Sequence, residues 1–339
     1  MQEIGQRPDW GMARLARMRQ KGTLLPYSMR FTAASLVLVS LALHARAENP
    51  VLKAADPHAS IFDKQAWIYP TGGGPPTEFY AWSSKDFVRW EKHGPVLRLK
   101  DAAWIKEDGA KNHWAWAPCA IEDGGKYYFY YSVGPQNPTP SRIGVAVADT
   151  PAGPFKDSGK ALLTGGRGFE AIDPFVFRDP KSRKPYLYAG GSSGAKLRIF
   201  ELNTDLVSIA REVPVTTPKN FTEGAFVHVW KDRYYLSYSH GNWKDHTYSV
   251  HYATSDSPEG PWDYKGAILT SDEKHKGPGH HAMIYLPGIK QWFIVYHRWN
   301  NRKGNGPFSG SRETCIDRLE HAADGSIRKV AMSDSGVRL

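Results

Sequence analysis

Apolar and polar residues alternate in short runs along most of this chain, and turn residues separate the runs. The alternation has the two-residue period of a β-strand, and helical periodicity is nearly absent after the N-terminal segment. In one example, "KYYFYYS" follows a turn made by Asp123-Gly124-Gly125. The pattern predicts short antiparallel strands joined by tight hairpins.

The runs form five similar units. The first run of each unit is "ADPHASIFD" (55–63), "WAPCAIED" (116–123), "IDPFVFRD" (172–179), "TEGAFVHVW" (222–230) or "HHAMIYLP" (280–287). A second, aromatic-rich run, a third run and a shorter fourth run follow it. The equivalent positions are taken as Pro57, Pro118, Pro174, Gly224 and His281. This period predicts an all-β, single-domain, five-bladed β-propeller with four-stranded antiparallel blades, reaching from Asp56 to about Val330. A β-sandwich with coincidental spacing is the alternative.

The N-terminal segment differs from the rest and predicts an export signal. Residues 29–47 have a basic start, an apolar run over residues 31–43 and an A-x-A end at Ala47, which are the parts of a secretory signal peptide. We expect residues 1–47 to be an N-terminal extension and signal peptide cleaved after Ala47, and residues 48–339 to be the propeller. The mature protein would then be secreted or periplasmic, with no membrane partner. A retained membrane anchor is the alternative, and which methionine starts the chain stays open.

Charge and composition limit the classes of ligand that the protein is expected to bind. The net charge is +10, half of it in the first 47 residues, and the remainder has no Lys/Arg-rich cluster, so a nucleic-acid partner is not expected. Aromatic residues make up 13%, which is typical of a β-rich fold or a carbohydrate-binding cleft. The two cysteines, Cys119 and Cys315, could form a disulfide in an exported protein or remain separate thiols.

The first strand of each predicted blade would carry one residue to the propeller axis, where strands from all blades line a central channel. These residues are Asp56, Ala117, Asp173, Glu223 and His280. Three of the five are carboxylic acids. Burying such acids in a narrow, partly desolvated pocket costs folding free energy. Their presence there therefore indicates a functional role.

Glycoside hydrolysis is the chemistry that best fits three converging carboxyl groups. One carboxylic acid protonates the leaving oxygen, and one carboxylate activates water. A third can adjust which group holds the proton. The competing interpretation is a metal or structural hub, because three acids and a histidine could bind Ca²⁺.

The same motifs resemble those of a known enzyme family. "ADPHASIFD", "IDPFVF" and "TEGAFV" resemble the three catalytic motifs of glycoside hydrolase family 43, and "WAPCAI" and "GPGHHAMIY" resemble its other hub strands. The resemblance covers about residues 50–332. It implies a five-bladed arabinofuranosidase or xylosidase that works by single displacement with inversion.

The resemblance also implies roles for individual residues. Asp56 would be the general base, Asp173 would tune and orient the acid, and Glu223 would be the general acid, with acid and base roughly 6.5–9.5 Å apart. His280 matches a histidine that often lies near a hydrated ion, commonly calcium, in the channel. We therefore expect His280 as a metal ligand and substrate contact, and no cofactor required for the chemistry. His281 is adjacent, and strand alternation lets only one of the pair face the hub.

Two further residues are candidate substrate contacts. Trp116 could stack on a sugar ring, with a core tryptophan as the alternative. Arg312, in "GSRETCIDRL", falls where the family often has a substrate-contacting arginine, with a surface salt bridge as the alternative.

The leading hypothesis is an exported hydrolase of pentosyl linkages, with arabinan, arabinoxylan or xylan fragments as substrates. The insert over residues 97–114 could wall off one side of the cleft, which favours exo action. A non-catalytic sugar-binding propeller is the alternative, although it would have no reason to keep three hub acids. A phosphorylase would need a basic cluster, for which Arg312 and Arg167 are the few candidates. Arabinose or xylose specificity and the oligomeric state stay open.

Overall fold

Five antiparallel sheets form the five blades of a β-propeller, as predicted. The computed structural model describes residues 47–71, 75–192 and 194–337. The predicted signal peptide lies outside the described residues except for Ala47. Within these residues no helix is both long and apolar enough to cross a membrane.

The first two blades lie on either side of two short 3₁₀ helices. The first blade is formed by β1 (Ala55–Phe62), β2 (Gln65–Thr71), β3 (Glu78–Ser84) and β4 (Glu91–Arg98). The helices follow at Leu99–Asp101 and Ala103–Asp108. The second blade is formed by β5 (Trp114–Asp123), β6 (Lys126–Gly134), β7 (Arg142–Ala148), β8 (Lys156–Asp157) and β9 (Leu163–Thr164). Both β8 and β9 pair with β7, so two very short strands share the outer position.

The remaining blades follow the same order from the axis outward. The third contains β10 (Phe175–Arg178), β11 (Pro185–Ala189), β12 (Arg198–Leu202) and β13 (Ile209–Val213). The fourth contains β14 (Glu223–Trp230), β15 (Arg233–His240), β16 (Ser249–Ser255) and β17 (Asp263–Leu269). The fifth contains β18 (Lys276–Leu286), β19 (Gln291–Trp299) and β20 (Glu313–Leu319).

The segment before β1 lies beside β20 and so closes the ring. The backbone N–H of Val51 donates to the carbonyl oxygen of Thr314 at 2.8 Å, and Leu52 forms an isolated antiparallel bridge with the same residue. The buried Asn49 side chain exchanges hydrogen bonds with the backbone of Ile316, at 3.0 and 2.9 Å. The outer position of the fifth blade is thus occupied by chain from the start of the domain, whereas the sequence pattern predicted a run after β20.

A ring of buried side chains, two of them histidines, surrounds the channel just beyond the residues at its mouth. It is formed by one residue from each innermost strand, namely His58, Cys119, Phe175, Phe226 and His281. The rings of Phe175 and Phe226 lie 4.4 Å apart, centroid to centroid. Cys119 and Cys315 are both buried free thiols, so no disulfide joins them.

A left-handed residue lies within or just before each innermost strand, close to this ring. These residues have φ between 30° and 65° and are Asp56, Ala117, Asp173, Gly224 and His280. Four of them lack the glycine that such a conformation favours, and strain of this kind clusters at functional sites. In the fourth blade the left-handed residue is Gly224, so Glu223 lies one position before the equivalents of Asp56 and Asp173. The predicted equivalence of Gly224 with Pro57 is therefore wrong by one residue.

Candidate active site

A cavity of about 250 Å³ opens at the propeller axis. Its walls contain all six predicted site residues, namely Asp56, Trp116, Asp173, Glu223, His280 and Arg312. Six more residues complete the lining, namely Thr71, Ala117, Gln136, Ile172, Ser192 and Trp243. Residues far apart in the sequence meet here because each blade brings its innermost strand to the axis.

Side chains at the ends of the second strands hold the strained backbone of the hub. The backbone N–H of Ala117 donates to Thr71 Oγ1 at 2.5 Å, and that of Asp173 donates to Ser132 Oγ at 2.9 Å. His280 donates in the same way to Ser239 Oγ at 2.8 Å. Each acceptor belongs to the preceding blade, so neighbouring blades fix one another's hub residues.

The third blade breaks this pattern and makes room for Glu223. Glycines, Gly190 and Gly191, follow its second strand where the other blades carry an acceptor side chain. A Cβ atom on Gly191 would lie 2.4 Å from the Cβ of Glu223, closer than carbon atoms can approach. A side chain at this position would therefore displace the carboxyl group.

Asp56 forms a two-point ion pair with Arg312. The guanidinium Nη1 donates to Oδ1 at 2.6 Å and Nη2 to Oδ2 at 3.3 Å. Burial alone would raise the pKa of Asp56, but the charge of Arg312, with that of His280, holds this pKa far below its usual value. Asp56 is therefore a carboxylate throughout the working pH range of proteins. The alternative of a surface salt bridge for Arg312 is wrong, because its partner is this buried hub acid.

His280 lies between two carboxylates. Its Nδ1 is 3.4 Å from Asp173 Oδ2 and 3.8 Å from Asp56 Oδ1. Burial would lower the pKa of His280, but the charge and hydrogen bond of Asp173, with the charges of Asp56 and Glu223, raise it to about 9. The imidazole is thus positively charged at neutral pH and partly balances the hub acids.

The pKa of Glu223 is shifted in the opposite direction to that of Asp56. Burial and the negative charge of Asp173 raise the pKa of Glu223, although two hydroxyl donors oppose this shift. Tyr248 donates to Oε1 at 2.6 Å and Ser192 to Oε2 at 2.5 Å. One carboxyl group of the cavity is thus biased toward its protonated form, while Asp56 is held ionised.

Aromatic side chains form the walls at the cavity mouth. Trp116 packs over Gly134, where a Cβ would lie 2.2 Å from its ring. Its indole is nearly parallel to that of Trp114, at 6.4 Å and 12°. Because Trp116 is only half-buried and lines the cavity, the alternative of a core tryptophan is wrong. The ring of Trp243, which the sequence did not suggest, lies 4.6 Å from the guanidinium carbon of Arg312.

The residues around His280 do not build a metal cage. Among the described residues, no group of three or more His, Cys, Asp and Glu side chains is placed to hold a metal ion. Calcium takes about six to eight oxygen ligands, whereas Nδ1 of His280 faces carboxylates as a charged donor. The predicted role of His280 as a metal ligand therefore has no ligand set in this part of the chain, while its position at the cavity is as expected.

Besides Trp243, three contact residues were missed from the sequence, namely Ser192, Tyr248 and His297. None belongs to an innermost strand, so the repeat gave no reason to single them out. The sequence features that could have indicated a closely packed side chain are two glycines, Gly191 and Gly279. Gly191 lies against Glu223, and a Cβ on Gly279 would lie 2.2 Å from the ring of Tyr248.

The cavity thus holds two carboxyl groups from different blades, one with a raised pKa and one with a lowered pKa. That pairing suits protonation of a leaving group and activation of water. Two carboxyl groups with opposite pKa shifts are also what assigns acid and base roles in other enzymes.

Known proteins share this architecture and sequence. The sequence model described as "Glycosyl hydrolases family 43" matches residues 47–327. The beta-D-galactofuranosidase xynD of Aspergillus niger is 34% identical over 93% of both chains. A xylosidase/arabinosidase of Bacteroides ovatus is 28% identical over 83% of this chain and 95% of its own.

A solved structure gives the same result. The β-xylosidase/α-arabinofuranosidase from a compost microbial metagenome, in complex with xylotriose and in a calcium-free form, superposes with a TM-score of 0.66. It is 28% identical and is matched over 84% of this chain and 97% of its own. The chain therefore belongs to glycosyl hydrolase family 43 and is a glycoside hydrolase.

Proposed function

We propose that the protein is an exported, inverting glycosidase that removes pentosyl residues from plant cell-wall polysaccharides or their fragments. The observation that carries the proposal is the pair of carboxyl groups in one cavity, with the pKa of Glu223 raised and that of Asp56 lowered. The predicted signal segment supports export. Relatives named xylosidase/arabinosidase support a pentoside as substrate.

In the proposed reaction, Glu223 gives its proton to the glycosidic oxygen as the bond from that oxygen to the anomeric carbon breaks. A water molecule attacks the opposite face of the sugar and gives its proton to Asp56. Asp173 keeps Glu223 protonated through its negative charge. Arg312 and His280 hold Asp56 in place, and their positive charges offset the accumulated negative charge of the hub.

The size and shape of the cavity favour release of single sugars. At about 250 Å³ it is smaller than the roughly 300–1,000 Å³ of pockets for drug-sized ligands. One sugar ring would fill most of it, and Trp116 and Trp243 contribute aromatic surface to its lining. Arabinan, arabinoxylan and xylan fragments are the proposed substrates.

To identify the sugar, hydrolysis of pentosides must be compared with hydrolysis of a hexofuranoside. α-L-Arabinofuranose and β-D-galactofuranose share the same ring configuration and differ by one hydroxymethyl group. The name of the Aspergillus relative makes galactofuranosides a necessary part of the test.

A calcium ion beside His280 stays a prediction. The proposed chemistry needs no cofactor, and a calcium-free form has been described for one relative. The prediction is tested by elemental analysis of the purified protein and by the change of its Tm on adding EDTA or CaCl₂.

The proposal is tested by sugar release from arabinan, arabinoxylan, xylo-oligosaccharides and aryl glycosides of arabinofuranose, xylose and galactofuranose. Residues 48–339 and the Glu223→Gln variant are compared. Pentose release by the wild type and little or none by the variant is expected for oligosaccharides. Binding without hydrolysis would favour a sugar-binding propeller, and hydrolysis of galactofuranosides alone would overturn the pentoside assignment.

A further inference from the structure

Tyr248 lies immediately before β16 and is completely buried beside Glu223. Its hydroxyl donates to Glu223 Oε1 at 2.6 Å, while Ser192 donates to the other oxygen. Burial and the negative charge of Glu223 raise the pKa of Tyr248 well above its usual value. The phenol therefore keeps its proton, which it donates in the hydrogen bond to Glu223.

The ring of Tyr248 also contacts the residue that holds the base. It stacks on the imidazole of His297, with centroids 5.7 Å apart and planes 8° from parallel. His297 Nδ1 accepts a hydrogen bond from the backbone N–H of Asp56 at 3.0 Å. Burial and the charge of Arg312 lower the pKa of His297 to about 3, so the ring is neutral and free to accept.

The absence of a side chain at Gly279 leaves space for the Tyr248 ring. A Cβ at this position would lie 2.2 Å and 2.3 Å from Cε1 and Cδ1 of Tyr248. Gly279 is not in the left-handed region, so its backbone does not itself require glycine. The need for a glycine here is set by the space that the phenol ring occupies.

We infer that Tyr248 is a positioning residue that fixes the carboxyl group of Glu223 and, through His297, the backbone of Asp56. The inference rests on the proposed roles of Glu223 and Asp56 as acid and base. When Glu223 releases its proton to the leaving oxygen, the carboxylate that forms is already in contact with the Tyr248 hydroxyl. That hydrogen bond is then charge-assisted and stronger than before the transfer. Tyr248 thus favours proton donation without exchanging a proton itself.

The Tyr248→Phe variant tests this role because it keeps the ring and its stack on His297 and removes only the hydroxyl. We expect kcat to fall about 10- to 100-fold for an oligosaccharide, as for the loss of one hydrogen bond to a charged group, with KM little changed. Without this donor the Glu223 carboxylate is less stable, so its pKa rises. The alkaline limb of the pH–rate profile should move upward by about one unit.

Tyr238→Phe is the matched control. Tyr238 is also completely buried in the fourth blade, and its hydroxyl donates to the carbonyl oxygen of Lys219 at 2.6 Å, away from the carboxyl groups. Its loss should lower the Tm without moving the alkaline limb. Gly279→Ala is a second, independent perturbation, since the added methyl group must displace the Tyr248 ring. It should lower kcat at least as much as Tyr248→Phe does.

A measurement without turnover separates this inference from the proposed function. The titration of the Glu223 side chain is followed by carbon-13 NMR in the wild type and in Tyr248→Phe. A higher Glu223 pKa in the variant supports the positioning role even if no substrate is found. An unchanged Glu223 pKa, or an unchanged kcat and alkaline limb, would overturn it while leaving the hydrolase assignment intact.

Discussion

Replacing Arg312 by glutamine removes the positive charge from Asp56 and keeps a polar side chain of moderate length. In the wild type, two guanidinium nitrogens contact the Asp56 carboxylate at 2.6 and 3.3 Å. Both side chains are largely shielded, with 15% and 11% of their surfaces exposed. Breaking a buried ion pair from one side costs about 3–5 kcal/mol of folding free energy, because the remaining charge loses its partner.

The pH dependence of this variant follows from the same contact. Without Arg312, burial is opposed only by His297 and His280, and the pKa of Asp56 rises toward its ordinary value of about 3.9. We expect kcat/KM of Arg312→Gln to fall about tenfold per pH unit below that pKa, in a range where wild-type Asp56 is still ionised. Since wild-type Asp56 has a depressed pKa, its stabilising effect is present above about pH 4 and is lost as the pH falls. The stability difference should therefore shrink toward acid pH.

The assay is kcat/KM from pH 3 to 9 on an aryl glycoside that the wild type cleaves, with urea unfolding at pH 4 and 7. Arg328→Gln is the control, because Arg328 pairs with Glu320 at 3.7 Å on the open surface and such pairs contribute about 0–1 kcal/mol. An acid limb in Arg312→Gln that coincides with that of the wild type would refute the reasoning.

Three other perturbations have definite expected outcomes. Glu223→Gln should lose about 10²- to 10⁴-fold in kcat on oligosaccharides and much less on dinitrophenyl glycosides, whose leaving group needs no proton; equal losses on both would contradict the acid role. His280→Asn should be less stable than the wild type by up to about 3 kcal/mol below pH 6.5, and the gap in Tm should close as the pH rises through about 9; a gap independent of pH would argue against a charged imidazole. Asn49→Ala should cost about 1–3 kcal/mol in urea unfolding by leaving the buried N–H of Ile316 unpaired, whereas the exposed Asn203→Ala should change little.

Much of the fold could be predicted because each blade repeats the same local chemistry. Alternating apolar runs and hairpin turns recur in all five units, and the acids of the first runs necessarily share one axis. The closure of the ring could not be predicted in this way. Leu52 forms only an isolated bridge with Thr314, and one bridging residue has no periodicity for a pattern to reveal.

The register of the fourth blade was missed for a related reason. The sequence placed Glu223 with Asp56 and Asp173 because all three precede a similar apolar run. In the structure, the shared feature is a left-handed backbone position, which Gly224 occupies in this blade. A carboxyl group can therefore reach the same cavity from an adjacent residue, provided that a neighbour such as Gly191 leaves room for it.

The contacts that shift the pKa of each carboxyl group come from residues outside its own strand. The position of Arg312 suggested a substrate contact, and the structure adds its ion pair with Asp56. Nothing in the sequence near Tyr248 indicates that its hydroxyl reaches Glu223. Arg312 and Asp56 belong to neighbouring blades, and Tyr248 and Glu223 to different strands of one blade. Local sequence does not encode either kind of pairing.

The configuration of the first-formed sugar tests the central claim most directly, namely that Glu223 and Asp56 act as acid and base in one displacement. Proton NMR of a reaction started with a high concentration of enzyme would record the anomeric signal before mutarotation. We expect the first product to have the anomeric configuration opposite to that of the substrate. A first product with retained configuration would require a covalent sugar–enzyme intermediate and would contradict the roles assigned to both residues.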